Sequence, residues 1–339
     1  MRKKSTLSLV GAAVALVCAS AAVAQTPVER HGQLSVSGNR IVGKHGNPVQ
    51  LRGMSLYWSM GPGGRDFYNA SAVQYLAANW KVSVIRAAMG VETNFWNEAN
   101  QQGYISNPTA NLARVKAVVD GAIAAGIYVI IDWHSHEAES YTAQAKSFFE
   151  EMARTYGGKA NVIYEIYNEP IGTASTTAAT WSTIKTYANA IVPAIRAIDG
   201  ENLIIIGTPL SCQYPNLAAA DPVAGKNLAY TVHFYAAEPG HQADLRNRTR
   251  DALKKGAPIF ASEMGTCAAS GKGTINSAQT DTWFRLLDEY GVSWANWSIG
   301  TADETASALK SGASASGNWN DGNLTESGKL IRGKLISCR

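Results

Sequence analysis

An α/β fold, with eight parallel strands closed into a barrel and a helix after each, is what this sequence predicts, on three observations. Short apolar, β-branched runs alternate with longer stretches that carry apolar residues at helical spacing. Eight such runs fall within about 250 residues, the usual span of a barrel. Most of them are too apolar to alternate with polar residues, as expected of parallel strands covered on both faces.

Residues 1–24 read as a targeting segment and stand outside the fold argument. Arg2, Lys3 and Lys4 make a positive start, Leu7 to Val23 is apolar, and Ala22-Val23-Ala24 before Gln25 has the A-x-A form of a signal-peptidase site. The apolar run is short for a membrane span and no second one follows, so the reading is export, not anchoring. Val17 precedes Cys18 where a lipoprotein signal wants a small residue, which argues against a lipid anchor. The expected location is periplasmic or extracellular, with no membrane partner after the segment is removed.

Residues 33–50 (QLSVSGNRIVGKHGNPVQ) read as a hairpin with turns near Gly38-Asn39 and His45-Gly46-Asn47, expected to plug the bottom of the barrel. The strand runs are Val49–Met54, Val82–Ala88, Ile127–Asp132, Val162–Tyr167, Leu203–Gly207, Tyr230–Phe234, Pro258–Ser262 and Val292–Trp297. Thr109–Ala125, Thr142–Tyr156 and Ala178–Ile198 are the clearest helices between them. An open doubly wound sheet shares this alternation, but no G-x-G-x-x-G or P-loop follows any strand. The (β/α)8 TIM barrel is the better reading. Residues 25–339 contain no Ser/Thr/Pro-rich linker, low-complexity tract or fixed-period repeat, so they read as one domain, and a monomer is expected.

The whole chain carries 30 basic and 26 acidic residues, net +4. Three of the basic ones leave with the targeting segment, and the remainder stands at +1. No Lys/Arg cluster suits nucleic acid, and a neutral polymer is the easier partner. Cys212, Cys267 and Cys338 remain. No Cys/His spacing suits a metal and no cofactor motif occurs, so neither is expected. An oxidising compartment permits one disulfide, and Cys212 with Cys267, each a few residues beyond a predicted strand, is the preferred pair.

Active-site residues of such barrels sit where strands end. The second strand delivers Arg86; the third Asp132, Trp133, His134 and His136; the fourth Asn168 and Glu169. The sixth delivers His233 and Tyr235, the seventh Glu263, the eighth Trp297. Packing alone does not predict polar and aromatic groups at the same end of strand after strand. Read singly, Asp132 fits a loop-fixing role as well as a site role, His134 a structural histidine, and Trp297 a core residue. Arg86 follows the buried run VSVI and is expected to hold a carboxylate in the barrel mouth. Glu263 directly after PIFAS is costly to bury unless it is paired or used. Two carboxylates across a barrel mouth are what glycosidic-bond cleavage requires, one protonated to donate to the leaving oxygen and one ionised to attack.

The ordered motifs QLRGMSLYW, VIRAAMG, IIDWHSH, VIYEIYNEP, VHFYA, PIFASEMGT and WANWS resemble glycoside hydrolase family 5, the cellulase A family, across residues 25–339 as one catalytic domain. The resemblance implies a retaining endo-β-1,4-glucanase in which Glu169 is the acid/base and Glu263 the nucleophile. It implies that Asn168 bonds the sugar 2-hydroxyl, Tyr235 contacts the nucleophile and Arg86 keeps it charged. By the same likeness His134 and His233 line the cleavage subsite, Trp297 is the sugar platform, and Trp58 is a further platform toward the non-reducing side. Two positions depart from the bacterial endoglucanases of the family. Ala302 stands where a lysine is often found, two residues before Glu304, and Ser211 stands where many relatives have Trp. A β-mannanase or other hemicellulase is the alternative on the same fold. A carbohydrate-binding protein without catalysis is disfavoured by the retained glutamates, Asn168, Tyr235 and Arg86.

Overall fold

The computed structural model describes residues 25–92, 102–173 and 175–337; the predicted targeting segment and Cys338 lie outside the described residues. The hairpin precedes the barrel strands in the chain, with β1 (Ser35–Ser37) antiparallel to β2 (Arg40–Val42) and Gly38 taking the positive φ (58°) of the tight link. Its apolar side is fixed by burial. Leu34, Ile41, Val49 and Leu51 pack against Val84, Tyr128, Ile130, Ile163, Leu203, Ile205, Ala229 and Phe260. These are inward residues near the amino-terminal ends of the strands, so the hairpin closes the bottom of the barrel as predicted.

The barrel strands are β3 (Arg52–Leu56), β4 (Val84–Gly90), β5 (Tyr128–His134), β6 (Val162–Glu165), β7 (Leu203–Ile206), β8 (Leu228–Tyr235), β9 (Ile259–Gly265) and β10 (Ser293–Ile299). They pair in parallel in chain order, and β10 returns to β3 to close the ring. Helices Pro108–Ala125, Thr142–Tyr156 and Thr177–Arg196 match the predicted ones within two residues. Several strands outrun their predicted ends, β5 to His134 and β9 to Gly265. The reason is that polar end residues stay in the ladder: Asp132 pairs with Ala88, His134 with Gly90 and Glu263 with His233. Apolarity marks where a strand is buried, and backbone pairing continues past it.

Period-two alternation positions the site. Outward residues such as Ile85, Ala87, Val129, Ile131 and Tyr164 pack against the helices. The inward set runs apolar at the bottom and polar at the top: Val84 then Arg86, Ile130 then Asp132 and His134, Ile163 then Glu165, Ala229 then Thr231, His233 and Tyr235. In β9 the register gains one residue between Phe260 and Glu263, a bulge that brings both Ser262 and Glu263 to the interior.

The predicted Cys212–Cys267 disulfide is corrected by this topology: both thiols are free and buried. Cys212 follows β7 and Cys267 follows β9, with β8 between them. Two strand spacings put the chains about 9–10 Å apart, beyond the Cα separation of roughly 4.4–6.8 Å that a disulfide spans. Cys212 instead donates its thiol to the Asn168 carbonyl (3.0 Å), and Cys267 packs among Tyr57, Trp58, Met60 and Trp297. Among the described residues, no helix is long and apolar enough to cross a membrane.

Candidate active site

Arg86 is the hub, fully buried and placed by β4 at the centre of the mouth. Its Nε donates to Glu165 Oε2 (2.6 Å), Nη1 to Glu263 Oε2 (2.8 Å) and Nη2 to Asn168 Oδ1 (2.7 Å), and Nη2 also forms an ion pair with Asp132 Oδ2 at 2.9 Å. Only a planar guanidinium offers donors in enough directions for this arrangement. One cation does not satisfy three buried acids equally. Burial, with the charges of Glu165 and Glu263, pushes Asp132 well above the usual carboxylate range despite Arg86. Burial favours the neutral acid at Glu165 as well, but Arg86 and His233 outweigh it and set that carboxyl low. Burial also drives His134 well down, so it is a neutral ring, its Nδ1 2.7 Å from Asp132 Oδ2.

The two predicted catalytic glutamates stand in different settings. Tyr235 donates its hydroxyl to Glu263 Oε1 (2.8 Å), so Glu263 is held at one oxygen by Arg86 and at the other by Tyr235. Tyr235 lies over Gly265, where an added Cβ would come within 2.3 Å of the ring. Glu169 sits four residues past the end of β6, with His233 Nδ1 2.9 Å from its Oε1 and His136 Nδ1 3.7 Å from its Oε2. Burial opposes a charge on His233, but Glu165 and Glu169 outweigh it and push the imidazole up to about 9. Burial raises Glu169 too, yet the His233 bond and charge prevail and hold it below its ordinary 4.5. The protonated ring then donates from Nδ1 to Glu169 and from Nε2 to Ser262 Oγ (3.1 Å). Ser262 in turn donates its hydroxyl to Glu165 Oε1 (2.5 Å).

An oxygen of Glu169, an oxygen of Glu263 and a ring nitrogen of His233 all lie within 4.8 Å of one another. Among the described residues these are the atoms whose spacing could hold a metal, but Arg86 and the His233 imidazolium already bring positive charge to them. Aromatic rings wall the cleft. His134 is stacked parallel to Trp297 (5.3 Å, 3°) and meets Trp58 edge-on at 4.2 Å. Tyr57 lies 5.3 Å from Trp297, whose Nε1 donates to Glu304 Oε1 (3.1 Å). Burial pushes Glu304 up to about 7 against the Trp297 bond, and the Glu263 charge adds to the rise. A cavity of about 1150 Å³, lined by Arg30, His31, Arg52 and Lys81, opens at the other end of the barrel and touches none of these groups.

Arg86, His134, Asn168, Glu169, His233, Tyr235, Glu263, Trp297 and Trp58 thus all converge on one mouth. Asp132 joins them, and the loop-fixing reading of it falls. Sequence reasoning missed Glu165 and Ser262. Their signal was positional: each lies two residues after an inward apolar residue, Ile163 and Phe260, on the face that carries Arg86 and Asp132.

Two carboxylates facing each other over an aromatic floor, one held by Arg86 and Tyr235 and the other by histidines, define a site of the glycoside hydrolase class. Residues 42–303 match the family model described as cellulase (glycosyl hydrolase family 5), and the chain belongs to that family. It is 44% identical to "Endoglucanase Z" of Dickeya dadantii over 99% of this chain and 73% of that protein. It is 42% identical to an "Endoglucanase" of Clostridium saccharobutylicum over 89% of this chain and 64% of that one. Among solved structures, one from Cytophaga hutchinsonii is 45% identical with a TM-score of 0.86, covering 92% of this chain and 97% of its own. The catalytic domain of Thermobifida fusca endoglucanase Cel5A is 34% identical with a TM-score of 0.83, covering 92% and 100%. A variant of that domain is known in complex with cellotetraose, at 33% identity, a TM-score of 0.82 and 92% and 100% coverage.

Proposed function

We propose that this chain is an exported endo-β-1,4-glucanase that works with retention of configuration, Glu263 being the nucleophile and Glu169 the acid/base. The observation that carries the reading is the carboxylate spacing, oxygen to oxygen within 4.8 Å. Retaining glycosidases hold their carboxyl groups about 5–5.5 Å apart, whereas inverting ones leave roughly 6.5–9.5 Å for a water. In the first step Glu263 bonds to the anomeric carbon while the C1–O4 bond breaks and a proton passes from Glu169 to O4. In the second, Glu169 takes a proton from water, the hydroxyl joins C1, and the Glu263 ester bond breaks. Each cycle consumes one water and restores both groups.

Glu169 is held ionised by the His233 bond and charge, while an acid must carry a proton. The proton is held one hydrogen bond away, on His233 Nδ1 at 2.9 Å. The two groups titrate as a coupled pair, and substrate that expels water from Glu169 favours its neutral form. Asn168, fixed through Arg86, takes the sugar 2-hydroxyl, and Trp297 and Trp58 give the stacking surface. A neutral glucan suits a chain whose net charge is +1 once residues 1–24 are removed. The names of the curated relatives support endo action on glucan.

A reducing-sugar assay on soluble cellulose, mixed-linkage glucan, mannan and xylan tests the substrate, with highest activity expected on a β-1,4-glucan. Highest activity on mannan would replace glucan in the reading. NMR of the first-formed anomer tests the stereochemistry: β product is expected, and α product would exclude retention. Amino-terminal sequencing of the exported protein should begin at Gln25.

A further inference from the structure

Strand β8 is eight residues long and its neighbour β7 only four. The last β7 pairing is Ile206 with Tyr230, and β8 climbs on alone at that edge to Tyr235. Backbone amides along a strand turn to alternate sides. The Ala236 N–H donates to the Gly265 carbonyl (2.8 Å) on the β9 side, so the Tyr235 N–H faces the side that β7 has left open. A buried backbone donor needs an acceptor. His241 supplies it, with Nδ1 3.0 Å from the Tyr235 nitrogen.

His241 is buried and fixed from two further directions. Its own N–H donates to the Glu238 carbonyl (3.0 Å) across the turn Pro239–His241, and its carbonyl accepts from Trp283 Nε1 (2.8 Å). Trp283 lies flat on Phe234, the residue before Tyr235, with 3.9 Å between ring centroids and 8° between planes. The imidazole is therefore braced against the backbone of the residue whose hydroxyl meets Glu263 Oε1. Nδ1 accepts only while the ring is neutral; a proton there would set two donors face to face. Burial keeps the ring below its ordinary 6.5, against the charges of Glu238 and Glu169, while His233 and Arg248 add to the fall. These four are the charged groups whose fields reach it, from its own turn, the loop after β6, β8 and the helix Ala243–Lys254.

We propose that His241 is a positioning residue for the nucleophile: the neutral ring fixes the Tyr235 backbone, and a proton on Nδ1 frees Tyr235 and slows bond cleavage at acid pH. This rests on the reading of Glu263 as nucleophile. His241 acts through Tyr235 and takes no covalent part; the bonds made and broken are those already given. A shift of Tyr235 moves its hydroxyl off Glu263, and small misplacements at a reacting centre cost rate steeply.

The test measures kcat and KM on hydroxyethylcellulose from about pH 4 to 8. Wild type, His241→Asn, His241→Leu, Tyr235→Phe, the Tyr235→Phe/His241→Leu double variant and Glu263→Ala are assayed side by side. His241→Leu removes the acceptor; kcat should fall roughly tenfold, the weight of one hydrogen bond, with KM little changed. Asn offers a side-chain carbonyl that no proton in this range blocks. His241→Asn should restore kcat to within about threefold of wild type and hold its rate to lower pH, each measured against its own maximum. In the Tyr235→Phe background, which has no hydroxyl to aim, His241→Leu should cost less than about threefold. Coinciding acid limbs of wild type and His241→Asn overturn the proposal, and that comparison stands even where the Leu variant fails to fold. A full tenfold cost of His241→Leu without the Tyr235 hydroxyl overturns it too, because a residue that merely supports the fold acts equally in both backgrounds. Near-normal turnover by Glu263→Ala overturns the nucleophile reading instead.

Discussion

Arg86 gathers Glu165, Glu263, Asn168 and Asp132 onto one buried guanidinium, so the proposed nucleophile and the residue proposed to read the sugar share a single rigid support. Rotamers locked this way keep the reacting atoms in place without cost at the moment of reaction. Glu263 and Glu169 have different surroundings, and their substitutions should differ in kind. Glu263→Ala removes the proposed nucleophile; kcat should fall by roughly four orders of magnitude or more, as for other residues of a catalytic unit. Near-normal turnover would refute its role as nucleophile. Glu169→Gln removes the proposed acid. Loss on polysaccharide should be about 10²–10⁴-fold, but much smaller for bond-breaking on an aryl glycoside whose leaving group needs no acid. Equal losses on both substrates would show that Glu169 does not act as the acid.

At the scale of elements, the barrel separates stability from chemistry by height along each strand. The hairpin belongs to the bottom layer, where Ile41 is 4% exposed and packs with Leu34, Tyr128 and Phe260. Ile41→Ala should cost about 2–5 kcal/mol of stability. It should leave kcat unchanged, because the carboxylates lie at the other end. Thermal unfolding and steady-state rates on the same preparation check both parts, and an unchanged Tm would mean that the hairpin is not part of the core. The same layering explains what the sequence disclosed. Strands were legible because their lower halves are uninterrupted apolar runs. Arg86 and Glu263 were legible because a charge at the end of such a run has no packing role. Glu165 was not, since it falls inside the run read as Val162–Tyr167, and nothing local marks its bond to Arg86, 79 residues away. Nor does Ser262 announce a bond to Glu165 across 97 residues. The cysteine pairing failed for a related reason: nearness in a closed ring follows strand order, and strand order places β8 between the two thiols.

For the whole molecule, the buried charges of the mouth link its stability to pH, and the sign follows from the two partners of one hydrogen bond. Glu169 is held below its ordinary 4.5, so its contribution is present above that pH and is lost as pH falls through the lowered value. His233 is raised from 6.5 to about 9, so its contribution is complete below 6.5 and is lost as pH rises through about 9. The bond between them is therefore worth most between 4.5 and 6.5, where both contributions are whole. Above that window the unfolded chain releases the histidine proton first, and the folded barrel must hold it against the rising pH. Glu165, Glu169, Glu263 and Ser262 are the groups that face the ring and hold it. The alkaline side should take on the order of 2–3 kcal/mol from folding stability. Denaturant titrations of wild type and His233→Asn at pH 6 and pH 10 measure it, because titrations elsewhere in the chain are common to both proteins and cancel in the difference. The wild type's advantage should shrink between the two pH values. An advantage that stays constant would mean that His233 is neutral in the folded protein. Glu169 would then lack the adjacent proton on which the proposed first step depends.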